Sequence, residues 1–357
     1  RIDYTGGGCP HILAEPQRTN VITYSEAIGS IGFNPINSTI VADQTTSPDG
    51  TLNADLLREN TANDVHVMIE DFNLSSGQAY SISVFAKSNG VNRNLRFDGG
   101  GVGWSSSFGI NFDLTNGTAG SGGVIESFGN GWFRCSVTAT TNATTSRLIV
   151  YNTLNGVTGY QGDNSSGVFL YGFQIEAGSY PTSYIPTSGS SVTRNQDLFT
   201  RDGITSLINS PEGCFFVDIA ALNNTFENQI SISLSGADGS DRVLIYTSAS
   251  GGKWIVQFRK DSSQYVSIEK NATVSNQSKI AVSWKSGKYL MYVDGSKATT
   301  YLAGSETEST TFDVNDLKNL QLTPNNGSTS NIFFGKVKQL QVYKTALTDA
   351  QLTSLTT

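Results

Sequence analysis

Residues 168–194 read VFLYGFQIEAGSYPTSYIPTSGSSVTR. The first part alternates, with Val168 and Leu170 on one parity and Phe169, Tyr171, Phe173 and Ile175 on the other. That pattern predicts a strand carrying apolar side chains on both faces. Gly178, Pro181, Pro186 and a Ser/Gly cluster follow. Proline has no N–H to give a ladder and pushes the residue before it toward extended geometry. The chain is therefore expected to leave one β domain here and walk, extended, into a second.

Composition agrees with two β-rich units. The chain has 357 residues, too many for one ordinary all-β core, with 37 glycines and only 15% charged residues. Ser, Thr and Asn fill the polar positions. Aromatic residues at 10% and apolar residues at 37% supply cores and argue against disorder. A net charge of −7 argues against nucleic-acid and anionic-membrane partners, which need a concentrated basic surface. No apolar run reaches the length of a transmembrane helix. The sequence opens at Arg1 without Met or a signal peptide, as expected of a fragment or processed product. Three cysteines, Cys9, Cys135 and Cys214, cannot all pair within one chain, and Cys135 alternates with Phe133 and Val137 as a small buried hydrophobe would.

The expected organisation is a lead-in over 1–27, a first β domain over 28–187, a linker over 188–197 and a second β domain over 198–357. Short strands recur between Gly/Asn/Ser breakers in the first domain: 65–69, 80–86, 95–97, 108–112, 132–139 and 147–151. In the second, residues 279–293 form the clearest hairpin, turning at Ser286-Gly287, and Asp294-Gly295 makes the next tight turn. Thr348 is placed to cap a short final helix bearing Leu352 and Leu355, with Leu347 beside its start. No repeat of solenoid length is present.

Several stretches carry a family resemblance. YGFQIEAGSYPTSYIPTSG…TR and the early GGGCPHILAEPQRTNVITYSE resemble segments of tail-fibre and adhesin-like proteins of bacterial viruses. NGWFRCSVTAT (130–140) resembles a strand of family 4/9-type carbohydrate-binding modules. KIAVSWKSGKYLMYVDG and GKVKQLQVYKTALTDAQLTSL resemble two hallmark segments of laminin-G/concanavalin A-like domains. The resemblance implies an all-β protein of two tandem β-sandwiches, a carbohydrate-binding-module-like jelly roll followed by a concanavalin A/laminin-G-like domain. It further implies a virion-surface appendage, attachment to a bacterial surface polysaccharide or receptor, contacts with other virion proteins, and a homotrimer. The alternatives are a purely structural decoration or assembly protein of a virion head or tail, and a cellular surface adhesin.

Catalytic constellations are nearly absent. The two histidines, His11 and His66, both lie in the first half, and no HExxH, GxSxG or Cys/His ligand set appears. Glu70 and Asp71 adjoin and would point to opposite faces of a strand. The chain is expected not to be an enzyme. For sugar stacking the candidates are Trp104, in a Gly/Ser loop, then Tyr151 and Tyr160, with Trp254 at a strand start. Trp132 and Trp284 sit inside strand patterns and read as core. Sandwich modules of these kinds often carry calcium, which needs several oxygen ligands; the candidates are Asp238 with Asp241, and Asp313 with Asp316.

Overall fold

The computed structural model describes residues 2–3 (backbone only), 10–222, 231–248, 252–324, 328 and 330–357. The chain divides into two compact units: residues 17–195, and residues 1–16 together with 196–357. Both are β-sandwiches. Cys9 lies outside the described residues, while Cys135 and Cys214 are buried free thiols. Among the described residues no helix is long and apolar enough to cross a membrane.

The unit of residues 17–195 is a jelly roll of two facing sheets. One runs in the order Gly123–Gly129, Trp132–Thr140, Ala79–Asn89, Gly167–Ala177, Leu52–Glu59, Ser38–Thr46. The other runs Thr118–Ala119, Gly109–Asp113, Arg93–Asp98, Thr145–Leu154, Asn63–Asn73, Gly159–Gln161. Their inner faces meet in a core containing Ile82, Val84, Phe97, Phe112, Cys135, Leu148, Val150, Leu170 and Phe173. Period-two alternation explains most of this, because successive strand side chains point to opposite faces.

Strand Gly167–Ala177 departs from that alternation. Its pairing with Ala79–Asn89 shifts between Tyr171 and Gln174, and Gly172 sits at φ +64°. This β-bulge adds one residue and reverses the parity downstream. Phe173 and Ile175 therefore join Val168 and Leu170 in the core, while Phe169 and Tyr171 belong to an outer cluster. The expectation that Phe169, Tyr171, Phe173 and Ile175 share one face fails at this glycine. A Cβ on Gly172 would lie 3.0 Å from Phe85 and 3.2 Å from Tyr184, on a backbone that L residues rarely adopt. Gly172→Ala should destabilise the jelly roll by about 1–3 kcal/mol. A denaturation midpoint unchanged from wild type would show that the bulge does not need glycine.

The Pro/Ser segment after this strand does not lead away. Asn20 Nδ2 donates to the carbonyls of Phe173 and Ile185 at 3.1 and 3.0 Å. Ile185 N donates to Gln174 Oε1, and Thr187 N to Ser25 Oγ. Val192–Arg194 then pairs with Arg18–Asn20. Residues 179–194 are thus folded onto the jelly roll, and the span expected as a linker, 188–197, contains a paired strand. The prolines deny this stretch a ladder of its own, so side-chain amides and hydroxyls satisfy its backbone instead.

The expected lead-in, 1–27, is likewise divided. His11–Ala14 adds to Gly335–Tyr343 in the other unit, with Ile12 opposite Val337. That unit's first sheet runs Ile2–Asp3, His11–Ala14, Gly335–Tyr343, Gly213–Ala221, Ser278–Lys285, Lys288–Val293, Ser296–Lys297. Its second runs Thr200–Arg201, Asn319–Gln321, Ser231–Ser235, Arg242–Thr247, Lys253–Lys260, Ser263–Asn271, Thr300–Ala303. Phe215, Val217, Trp254, Phe258, Val282, Trp284 and Phe333 pack between them. The hairpin forms as the sequence suggests, with Lys285 opposite Lys288 and Gly287 at φ +76°.

Helix Asp349–Thr356 starts with a full capping box between Thr348 and Gln351, and Leu352 packs on Cys214, Phe216, Ala281 and Leu290. Asp349 anchors it from the first turn. Lys288 Nζ and the Tyr292 hydroxyl each donate to its carboxylate at 2.8 Å, holding that carboxyl well below its ordinary 3.8. A depressed carboxyl contributes its stability in full above the ordinary value and loses it as pH falls through the lowered one. Hydrogen exchange at the helix amides should therefore quicken below about pH 3, earlier than in the core strands. Exchange uniform across both would remove Asp349 from this role.

Candidate functional site

The candidate site grows from the outer face of the jelly-roll sheet that contains the bulge. Tyr171 stands opposite Phe85, and Phe85 opposite Arg134, so three neighbouring strands present these side chains in one row. Ala54, Phe85, Trp132 and Tyr171 form a small cluster, with Phe169 and Tyr184 packed against it. Ring centroids step from Phe128 to Phe85 at 4.8 Å, from Phe85 to Tyr171 at 5.9 Å and on to Tyr184 at 5.6 Å. Phe128 is 46% exposed, and Tyr184 and Phe169 are half-buried. Arg134 lies against this platform, 5.7 Å from the Phe85 ring, with Nη2 donating to Ser83 Oγ and Thr182 O.

Two carboxylates border the rings. The Tyr171 hydroxyl lies 2.8 Å from Asp49 Oδ2 and 3.1 Å from Glu26 Oε1. The Tyr184 hydroxyl reaches Glu26 Oε1 at 3.2 Å and lies 2.6 Å from Ser25 Oγ. Asp49 sits in the turn between Ser38–Thr46 and Leu52–Glu59, where Ser47 and Thr51 donate to its Oδ1. Burial alone would raise its pKa. The hydrogen bonds from Ser47, Thr51 and Tyr171 outweigh that and hold the carboxyl well below the usual range. A general acid needs the opposite shift. Phe85 and Tyr171 are themselves buried, so the open apolar surface is Phe128 with the half-buried Phe169 and Tyr184; beside the fixed acceptors it suits contact with a polyhydroxylated ligand.

The residues singled out from sequence lie elsewhere. Trp104 is buried: Gly103 approaches the Thr145–Ser146 backbone too closely for any Cβ, and the indole N–H donates to Arg147 O at 2.7 Å. Tyr160 is buried too, its hydroxyl donating to Glu59. Trp254 is 1% exposed, between the sheets of the other unit. None of these three can stack on a ligand. Tyr151 remains half-buried on the outer face of the opposite jelly-roll sheet, in register with Arg96 and apart from the ring platform. Trp284 is core as expected, whereas Trp132 is buried on the outer platform rather than between the sheets.

The four aspartates considered for calcium do gather at one rim. Gly236 adjoins Asp238, Asp241 and Asp316, and Asp313 N donates to Asp316 Oδ2. Their oxygens are largely engaged, however. Asp238 Oδ1 accepts from Ser240 and Asp241 Oδ1 from Asp261 N. The cation among them is Lys260, whose Nζ is 2.9 Å from Asp313 Oδ2. Among the described residues no three acidic, His or Cys side chains converge as a metal site. As placed, these residues do not fit calcium, which takes six to eight oxygens.

The same unit holds a polar cavity of about 360 Å³ lined by Asn271, Thr273, Asn276, Gln277 and Asp294 among others. It has no aromatic wall, and Gln277 is engaged with Asp218 and Asp294 with Lys279 N.

Sequence reading missed the platform because Phe85 and Tyr171 sit inside strand patterns that look like core. The available signal was Gly172, a lone glycine in an aromatic strand, which marks a bulge.

A family match accords with the second sandwich. Residues 214–353 match a laminin G family described as "Concanavalin A-like lectin/glucanases superfamily". No curated protein matches the chain. Among solved structures, the CBM40 domain of the Ruminococcus gnavus IT-sialidase bound to α2,3-sialyllactose is 18% identical, with a TM-score of 0.35, over 43% of this chain and 86% of that one. The leech intramolecular trans-sialidase is also 18% identical, at a TM-score of 0.34, over 42% of this chain and 24% of that one. Domains LG4-5 of the mouse laminin α1 chain are 10% identical, at a TM-score of 0.29, over 83% of this chain and 92% of that one.

Proposed function

We propose that the chain is a non-catalytic glycan-binding module that attaches its parent particle or surface to a bacterial polysaccharide. The observation that carries this reading is the aromatic cluster on an outer sheet face whose open rings are Phe128, Phe169 and Tyr184, with Phe85 and Tyr171 buried among them and Glu26 and Asp49 at its border. Aromatic faces stack on the C–H faces of sugars, and fixed acceptors take their hydroxyls. The laminin G match supports a binding rather than a catalytic role for the second unit. The low charge and Ser/Thr/Asn-rich composition support an extracellular setting, and the resemblance to tail-fibre segments favours a virion appendage. Homotrimerisation and contacts with other virion proteins belong to that same reading.

The test is adsorption of the full chain to bacterial cells and to their extracted surface polysaccharide. Saturable binding should weaken about tenfold or more in Phe128→Ala, since exposed aromatic anchors dominate such contacts. Phe128 is exposed enough for its loss to leave the fold intact. Absence of binding to any cell surface, with a normal melting curve, would favour a structural role within a particle.

A further inference from the structure

Resting on the glycan reading for what carries the charge, we infer that the second sandwich holds an oxyanion site at Arg242 and Arg259, which takes the carboxylate or sulfate of an acidic sugar. The site shares no residue with the aromatic cluster of the jelly roll. Arg242, on strand Arg242–Thr247, stands directly opposite Arg259, on Lys253–Lys260. Their chain neighbours Val243 and Phe258 point into the core, so both arginines project from the outer face of the sheet, where each is half-buried. Like charges set directly opposite across a ladder destabilise it. Elsewhere in the chain an arginine on a strand has an acid alongside, as Arg93, Arg96 and Arg147 do. Among the described residues no carboxylate pairs with Arg242 or Arg259.

The neighbouring acids are taken. Glu269, two rows along the same face, pairs with Lys253 at 2.8 Å. Asp241 Oδ1 accepts from Asp261 N, and Asp313 holds Lys260. Donors, by contrast, are left over. The Nε–H groups of both arginines have no partner among the described residues, and Arg242 Nη1 reaches only Gly239 O, at 3.4 Å. Burial and the facing Arg259 charge push the Arg242 guanidinium below its ordinary pKa. An oxyanion set between the two guanidinium groups would cancel their repulsion and accept from their unengaged N–H groups, which are spaced in planar forks suited to carboxylate and sulfate oxygens. Around the pair the face presents amides and a phenol rather than charge: Gln264 beside Arg259, with Gln257 and Tyr246 in the next two rows. Such groups suit the hydroxyls of the ring that bears the anion.

The experiment is calorimetric titration of the full chain, at low salt with EDTA, with three oligosaccharides: an oligogalacturonate, its methyl ester and a sulfated galactan oligosaccharide. The better of the two acidic sugars should bind about tenfold more tightly than the uncharged ester, the worth of one partly desolvated charge-assisted contact, and it names the oxyanion. Arg242→Gln and Arg259→Gln should each bring that sugar to the level of the ester without lowering the melting temperature, because neither removes a short hydrogen bond. Lys344→Gln, an equal change of net charge at an exposed position in the same unit, should keep the preference, as should Phe128→Ala in the jelly roll. Acidic sugars that bind no better than the ester, or that do not bind, overturn the inference. So does a preference that survives both arginine variants or is also lost in Lys344→Gln. Cell adsorption that still weakens in Phe128→Ala would then leave glycan binding standing on its own.

Discussion

Glu59→Ala should cost the jelly roll about 3–5 kcal/mol, the usual penalty for removing one partner of a buried ion pair. Glu59 has no exposed side-chain surface. Arg93 clamps it with two parallel bonds, Nε to Oε2 at 2.8 Å and Nη2 to Oε1 at 2.7 Å. The Tyr160 hydroxyl, Asn152 Nδ2 and Asp163 N complete its shell at 2.7, 3.1 and 3.0 Å. Burial works to raise its pKa, but Arg93, Tyr160 and Asp163 N prevail and lower it. Removing the carboxylate leaves a guanidinium that is only 9% exposed with just Val91 O and a long contact to Asp163, and leaves three further donors unmet. Urea denaturation of the full chain would read this as an earlier midpoint for one transition. The control is a double replacement of Glu59 and Arg93 by apolar residues of similar volume, which should recover much of the loss. A single variant as stable as wild type would mean that the cluster adds nothing to the fold.

The second large effect is a contrast between two tryptophans in the other sandwich. Both are essentially sealed, Trp284 at 0% and Trp254 at 1% exposure, and either one cut to alanine should cost about 3–5 kcal/mol. Phenylalanine separates them. Trp284 Nε1 donates to Ser210 O at 2.8 Å, so Trp284→Phe leaves a buried carbonyl without its donor. Trp254 Nε1 has no partner among the described residues, so Trp254→Phe removes an unsatisfied N–H along with some volume. The first should destabilise by about 1–3 kcal/mol more than the second. Equal midpoints for the two phenylalanine variants would show that the indole hydrogen bond carries no weight here.

Local chemistry was legible in the sequence and long-range geometry was not. Strand alternation, the tight turn at Gly287 and the helix cap at Thr348 are written in neighbouring residues, and they appear where those residues place them. The parity change at Gly172 is also local, but it shows only as a glycine, and its effect depends on pairing with Ala79–Asn89. Trp104 was misread because its loop looks open; its burial comes from residues 145–147, some forty positions away in sequence. The platform was harder still. Its rings come from four separate stretches and its acids from two more, so only the assembled sheet brings them together.

The pairing of His11–Ala14 with Gly335–Tyr343 bears on how the polypeptide matures during synthesis. All of residues 17–195 emerge from the ribosome between the two partners of that ladder, so the jelly roll can condense while the outer sandwich still lacks its closing strand. Until then His11–Ala14 can pair only with Ile2–Asp3, and its other edge is held in reserve while residues 17–195 are made. Translation speed over the codons for residues 196–357 should therefore influence yield more than speed over those for residues 17–195. A piece cut to begin after residue 195 would present the bare flank of Gly335–Tyr343 to other chains.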